Sequence, residues 1–166
     1  MTTGVFIGRF QPFHKGHLTV IQKMQKECDG IVIVLGTPTN IKTINKHNPF
    51  TTEERKEMLQ IMLKKYCKIP WEIIVIKDYN VHNLWLKNIV KRIQKKDAVI
   101  YSGNKLVQHL CRSYGLKTRA VPHIINIHAA IIRKLINEGK PWKQYLPKEI
   151  IDAIRKIDIY SRLKNV

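Results

Sequence analysis

Apolar positions along this chain follow two alternating rhythms. Short runs rich in β-branched and aromatic residues at 5–7, 31–35, 71–76, 98–101 and 118–121 predict five strands. Between them the spacing widens to three and four. Leu18, Ile21 and Met24 mark one helix face over 18–25, and Met58, Ile61 and Met62 mark another. Further helices are predicted at 84–93, at 106–114 up to Gly115, at 129–137 closed by Gly139 and Pro141, and at 147–157. Thr51 or Thr52 can cap the second helix, and Thr51 with Glu54 has the spacing of a capping box. Residues 36–50, opening Gly36-Thr37-Pro38, read as a long connection, longer than a plain link requires.

Strand and helix alternating over this length predict an α/β fold, a Rossmann-like parallel sheet with helices on both faces. No repeat, linker or low-complexity tract interrupts the pattern, so residues 1–166 read as one domain. Ligands of such sheets gather at the carboxyl ends of strands. Gly8-Arg9, Gly36-Thr37, Asp78 and Ser102-Gly103-Asn104 all fall just past a predicted strand.

Composition narrows the functional classes. Lysine breaks every apolar run well short of a membrane span, and the first strand begins too early for a signal peptide. Cys28, Cys67 and Cys111 are widely spaced, with no Cys-x-x-Cys, so no disulfide framework or metal-ligating set is expected. A cytoplasmic protein is the natural expectation. The formal charge of +18 has three readings: a nucleic-acid surface, a cleft for small polyanions, or lysine abundance in the source proteome. The lysines are spread along the chain rather than gathered in one arm, which favours the last two.

The densest chemistry lies at 8–17, Gly-Arg-Phe-Gln-Pro-Phe-His-Lys-Gly-His, between the first strand and the first helix. Gly8 suits a tight turn at the strand end, and Pro12 stiffens the loop. Gly16 suits close approach of backbone N–H groups to a ligand, beside a helix start that attracts anions. His14 and His17 are three apart, so both imidazoles can face one site and donate to phosphate oxygens. Taken singly, a loop histidine beside a helix cap needs no function; ten specific residues at a strand-to-helix junction argue for one.

This string resembles the signature of the nucleotidylyltransferase superfamily, the HIGH-type fold, and within it the archaeal-type nicotinamide mononucleotide adenylyltransferases. The likeness continues through Asn48-Pro49-Phe50-Thr51 with Glu54-Arg55, Asp78 with Leu84-Trp85, Tyr101-Ser102-Gly103-Asn104, and Ile132-Arg133 with Gly139 and Trp142. It implies transfer of AMP from ATP to nicotinamide mononucleotide, giving NAD and pyrophosphate, with Mg²⁺ accompanying ATP. His14, His17 and Arg133 are the implied catalytic residues. Gly8, Arg9, Phe10, Gly16, Ser102, Gly103, Asn104 and His128 join them on ATP. Trp85 is the implied stacking partner of nicotinamide, with Asp78, His82, Asn83, His47 and Arg55 around the acceptor. Relatives of this type form rings of identical subunits, so a homo-oligomer is expected.

The chain departs from the pattern in three places. The late helix usually opens Ser-Gly-Thr-x-Ile-Arg; here it reads His128-Ala129-Ala130-Ile131-Ile132-Arg133, without either hydroxyl. Each lost bond to a charged group is worth about 1.5–3 kcal/mol, and Asn126 or His128 would have to compensate. His82 stands where the family places asparagine, with Asn83 one residue later, and Lys46-His47 replaces an arginine. Adenylyl or cytidylyl transfer to FMN, phosphopantetheine or a polyol phosphate is therefore an alternative, as is a non-catalytic nucleotide- or RNA-binding protein.

Overall fold

A computed structural model describes residues 1–38, 44–78, 82–93, 97–121 and 127–164 of the chain. They fall into two compact units, each assembled from three separate stretches. The first comprises Met1–Arg9, Val20–Asn40 and Cys67–His123; the second comprises Phe10–Thr19, Ile41–Tyr66 and Ile124–Val166.

The first unit is a five-stranded sheet. Strands β1 (Thr3–Gly8), β2 (Gly30–Pro38), β3 (Trp71–Asp78), β4 (Ala98–Ser102) and β5 (Lys117–Ala120) lie in the order β3-β2-β1-β4-β5, every pairing parallel. Strand side chains alternate between faces. Val5, Val32, Val34, Ile76 and Ile100 pack on one face with Ile89 and Ile93 of α3 (His82–Ile93) and Cys111 of α4 (Lys105–Ser113). On the other face, a Cβ added to Gly4 would lie 2.7 Å from Met24 of α1 (Lys15–Glu27). Helices therefore cover both faces, which is why the central strands read as unbroken apolar runs. The order reverses about β1, so the carboxyl ends of β1 and β4 flank the switch point of the sheet.

The second unit holds the loop after β1, the start of α1, and helices α2 (Thr52–Tyr66), α5 (Ala129–Asn137), α6 (Lys148–Arg155) and α7 (Ile159–Lys164), with a 3₁₀ turn at Lys143–Tyr145. The capping box forms as its spacing predicts. Thr51 N–H donates to Glu54 Oε2 at 2.9 Å and Glu54 N–H to Thr51 Oγ1 at 3.1 Å. Both expected glycine stops are left-handed, Gly115 at φ 73° and Gly139 at φ 65°.

Three local expectations need correction. β2 does not end at Gly36: it runs on because Gly36, Thr37 and Pro38 pair with Ile76, Lys77 and Asp78 of β3. Gly8 is the last residue of β1, in register with Leu35, so the turn comes later, at Phe10. The buried face of α2 is Met58, Leu59, Met62 and Leu63, with Ile61 only half-buried. The helix expected at 147–157 forms at Lys148–Arg155, and a further short helix that was not expected, α7, follows it. Asp158 accepts from Ser161 N–H at 3.2 Å and Ser161 Oγ at 2.6 Å, which starts α7.

Candidate active site

The loop that follows β1 is built around its aromatic residues. Phe10 adopts φ 49°, a left-handed conformation that costs a non-glycine residue about 1–2 kcal/mol. Packing holds it there: Phe10 and Phe13 are buried, their rings 6.2 Å apart. The His17 ring lies 4.7 Å from that of Phe10 and 5.3 Å from that of Phe13. The Gln11–Pro12 peptide is cis.

His14 and His17 meet as expected, but as a stack. Their ring centroids are 3.6 Å apart with planes inclined by 20°. The His14 backbone N–H donates to His17 Nδ1 at 3.2 Å, which assigns the neutral tautomer and leaves the His17 proton on Nε2. Protonating Nδ1 would set two donors against each other. Burial and the neighbouring His14 accordingly hold His17 well below the usual imidazole range. Burial also lowers His14 to about 4, with repulsion from His128 adding to it. His14 Nδ1 is buried and, among the described residues, has no hydrogen-bond partner. A Cβ at Gly16 would lie 3.0 Å from both Cε1 and Nδ1 of His14, so this glycine makes room for the imidazole.

Arg133, on α5, joins two loops of the second unit. Its Nη1 donates to Gln11 O at 2.7 Å and its Nε to Lys46 O at 3.2 Å. Gln11 is itself buried and pairs both ends of its amide with one residue: Nε2 donates to Phe50 O at 2.9 Å, and Phe50 N–H donates to Oε1 at 3.1 Å. An arginine is thus fixed to the residue three before His14, with cationic and imidazole donors in one neighbourhood. Such a set is chemically suited to a polyanion.

The cytidylyltransferase-like family model matches residues 5–155. The chain belongs to that family. It is 35% identical over 165 residues to the nicotinamide-nucleotide adenylyltransferase of Methanococcus aeolicus, covering 98% of this chain and 93% of that one. It is 34% identical to the enzyme of the same name from Methanosarcina mazei, covering 100% and 95%. Among solved structures, a bifunctional NMN adenylyltransferase/ADP ribose pyrophosphatase from Francisella tularensis superposes with a TM-score of 0.81 at 26% identity. That match covers 96% of this chain but 51% of the other, so the chain spans about half of the bifunctional protein. The same protein in complex with AMP and a manganese ion gives a TM-score of 0.77.

The remaining residues singled out in the sequence divide by what holds them in this member of the cytidylyltransferase-like family. Arg9 is exposed and Gly8 half-buried. Asn104 caps α4, its Oδ1 accepting from the N–H groups of Leu106 and Val107 at 2.9 and 3.4 Å. Ser102 Oγ accepts from Asn104 N–H, and a Cβ on Gly103 would press on Val121 at 3.2 Å. The side-chain oxygens of Ser102 and Asn104 are thus engaged within the turn, and Ser102 O accepts from Gln108 Nε2 at 2.6 Å. Arg55 is buried and turns inward, donating to Thr51 O and Thr52 Oγ1 at the start of its own helix. Lys46 and His47 are exposed on a turn closed by Asn45, whose Oδ1 accepts from the N–H groups of His47 and Asn48. His128 takes the N-cap position of α5 without a side-chain capping bond. Asn126 and the side chains of Asp78, His82, Asn83 and Trp85 lie outside the described residues.

Sequence reasoning missed the Gln11 side chain and Arg162. A glutamine set between Phe10 and Pro12-Phe13 was the available signal, since a polar group among aromatics needs a buried partner. Its partner lies 39 residues away, beyond the reach of any local pattern.

The histidine pair makes stability depend on pH. Unfolded histidine takes a proton near 6.5, whereas folded His14 resists until about 4. The unfolded state therefore binds more protons in this window, and stability present above pH 6.5 is lost as pH falls through it. Between pH 7 and 4.5 the ligand-free protein should lose about 2–3 kcal/mol from His14 alone. The lowered carboxyl groups of Glu27 and Glu54 act only below the usual 4.5. Urea titrations at pH 7, 6, 5 and 4.5 check this. A flat profile over that range would contradict the assigned burial.

Proposed function

We propose that this protein is a nicotinamide-nucleotide adenylyltransferase, transferring AMP from ATP to nicotinamide mononucleotide with release of pyrophosphate. The observation that carries this reading is the stacked, neutral His14–His17 pair on a loop that Arg133 clamps at Gln11. The identities of 34–35% to adenylyltransferases over nearly the whole chain support it.

The attacking group is the phosphate of the mononucleotide. A phosphate monoester has its second pKa near about 6, so it is largely dianionic at neutral pH and needs no general base. One of its oxygens attacks the α-phosphorus of ATP, and the bond to the β-bridging oxygen breaks. Pyrophosphate departs with the electron pair. What the protein must supply is alignment and relief of negative charge. His17 offers its Nε2–H, His14 offers a second imidazole with an unsatisfied nitrogen, and Arg133 supplies full positive charge. Phe10 acts by holding the His17 ring. Gly8, Arg9 and the backbone of Ser102-Gly103-Asn104 are further proposed ATP contacts, and His128 stands in for the hydroxyls missing at Ala129 and Ala130.

For the acceptor, we propose Trp85 for the pyridinium ring, with Asp78, His82, Asn83 and His47 as further contacts. Arg55 we assign to the start of α2, not to the acceptor. Mg²⁺ would enter with ATP. Among the described residues no three His, Cys, Asp or Glu side chains group to hold an ion. Magnesium is commonly carried on substrate phosphates with few protein ligands, and its charge would offset that of the triphosphate. The relative bound to AMP and manganese is consistent with a divalent ion. No helix among the described residues is long and apolar enough to cross a membrane. We infer a cytoplasmic homo-oligomer by family analogy.

The test is pyrophosphate release from Mg-ATP with nicotinamide mononucleotide, set against FMN and phosphopantetheine, and against CTP with glycerol phosphate. Release with nicotinamide mononucleotide alone supports the proposal. Release with another pair would move the acceptor assignment to that pair. No release with any acceptor, together with salt-sensitive RNA binding, would overturn it in favour of a binding protein.

A further inference from the structure

The family model ends at residue 155, yet the chain past that point holds the loops of the candidate site. Arg162 of α7 turns back onto the Asn48-Pro49-Phe50-Thr51 corner. Its Nη1 donates to Pro49 O at 3.0 Å and to Glu54 Oε2 at 2.7 Å. Glu54 is the acidic half of the box that starts α2, so one guanidinium ties the corner to the helix it opens. The next residue, Phe50, carries the two backbone bonds to Gln11. Gln11 in turn takes the Arg133 bond and leads to His14. A continuous chain of bonds therefore runs from α7 to the histidine loop.

The helix makes a second connection. Ile159 and Leu163, four apart on α7, are buried, and α7 packs against α5, the helix that carries Arg133. Ile132 and Ile136 of α5 are fully buried as well. The arm bearing Arg133 and the corner bearing Phe50 thus lean on the same short helix. A six-residue helix has little stability of its own, so these contacts and the Asp158–Ser161 start must supply it.

We propose that Arg162 is a positioning residue of the adenylyl-transfer site, fixing the Pro49–Glu54 corner so that Gln11 can hold the histidine loop in register with Arg133. The proposal rests on the function proposed above for its catalytic consequence, but its structural half is testable alone. Arg162 does not touch the reacting groups in this account; it acts through Phe50 and Gln11. Both bonds leave one nitrogen, so a lysine ammonium can make them in part, but its flexible stem does not fix their directions as the planar guanidinium does.

The experiment is amide hydrogen exchange on the full chain, followed by steady-state kinetics. In Arg162→Ala the amides of Phe50 and His14, which donate to Gln11 Oε1 and His17 Nδ1, should exchange at least about tenfold faster, as expected of locally loosened structure. The KM for ATP should rise and kcat fall, together lowering kcat/KM by between about tenfold and a hundredfold. Arg162→Lys should recover part of both effects. Glu149→Gln, which removes the Lys65–Glu149 contact between α2 and α6 in the same unit, serves as the control for general destabilisation. It should leave the two amides and the kinetics unchanged. If Arg162→Ala fails to fold, Arg162→Lys and Glu54→Gln carry the same measurements, with smaller shifts in the same direction. Unchanged Phe50 and His14 exchange in a folded Arg162 variant would overturn the positioning role. Faster exchange in a chain without adenylyl transfer would uphold the clamp and reject the activity.

Discussion

Replacing His17 with alanine should lower the rate of pyrophosphate release at saturating substrates by about two to three orders of magnitude, the usual effect of removing one aimed donor from a charge-stabilising site. The geometry makes this the most exposed single point of the mechanism. The ring is fixed from three sides, by Phe10, Phe13 and His14, and its Nδ1 is spent on the His14 N–H. Its Nε2–H is the donor we assign to substrate. The structural cost is smaller: the His14 amide loses its acceptor and a cavity opens beside two phenylalanines, about 1–3 kcal/mol in all. The variant should remain folded by circular dichroism while losing turnover. Glutamine, which keeps an N–H donor on a neutral side chain, should recover part of the rate. An alanine variant with undiminished turnover would remove His17 from the chemistry and leave it as packing for the loop.

Much of the fold was legible because parallel strands buried on both faces are spelled by composition alone. The run Ile31-Val32-Ile33-Val34-Leu35 admits hardly any other reading, and the glycine stops at 115 and 139 and the Thr51–Glu54 box are local codes. Strand ends were harder. Gly36 and Thr37 look like a loop until the length of β3 is known, because pairing with a neighbour overrides local propensity. The helix α7 was missed because it has six residues, too few for an apolar period, and is opened by one side-chain cap at Asp158.

The site was half legible. The residue types at 8–17 pointed to phosphate, since imidazoles near a helix start suit an anion, while Arg133 entered only through the family resemblance. Their mutual arrangement was not. Facing histidines were expected, but not their stacking or the burial that holds both neutral in the free protein. That Gly16 makes room for the His14 ring was not legible either. The links among Gln11, Phe50, Arg133 and Arg162 join residues far apart in the chain, and no periodicity encodes them.

Those links give Arg133 two duties, and substitution can separate them. Arg133→Ala removes the charge and both carbonyl bonds, leaving Gln11 O, on a residue 3% exposed, without that donor. An unsatisfied buried acceptor costs about 1–3 kcal/mol, so the variant should unfold at lower urea. Its kcat/KM for ATP should fall by about a thousandfold, as for a lost charge clamp on a phosphoryl group. Arg133→Lys keeps the charge but cannot span Gln11 O and Lys46 O with one ammonium on a flexible stem. If the arginine neutralises the triphosphate, lysine should recover at least about tenfold in kcat/KM over alanine while restoring little stability. The ATP affinity of the lysine enzyme should also keep the salt sensitivity that alanine loses. If the arginine is only a strut, stability and rate will fall in step in both variants, with no recovery by lysine. Paired urea titrations and initial rates at low and high salt distinguish these cases. The first pattern requires positive charge beside the histidine loop for its own sake, which packing alone has no use for.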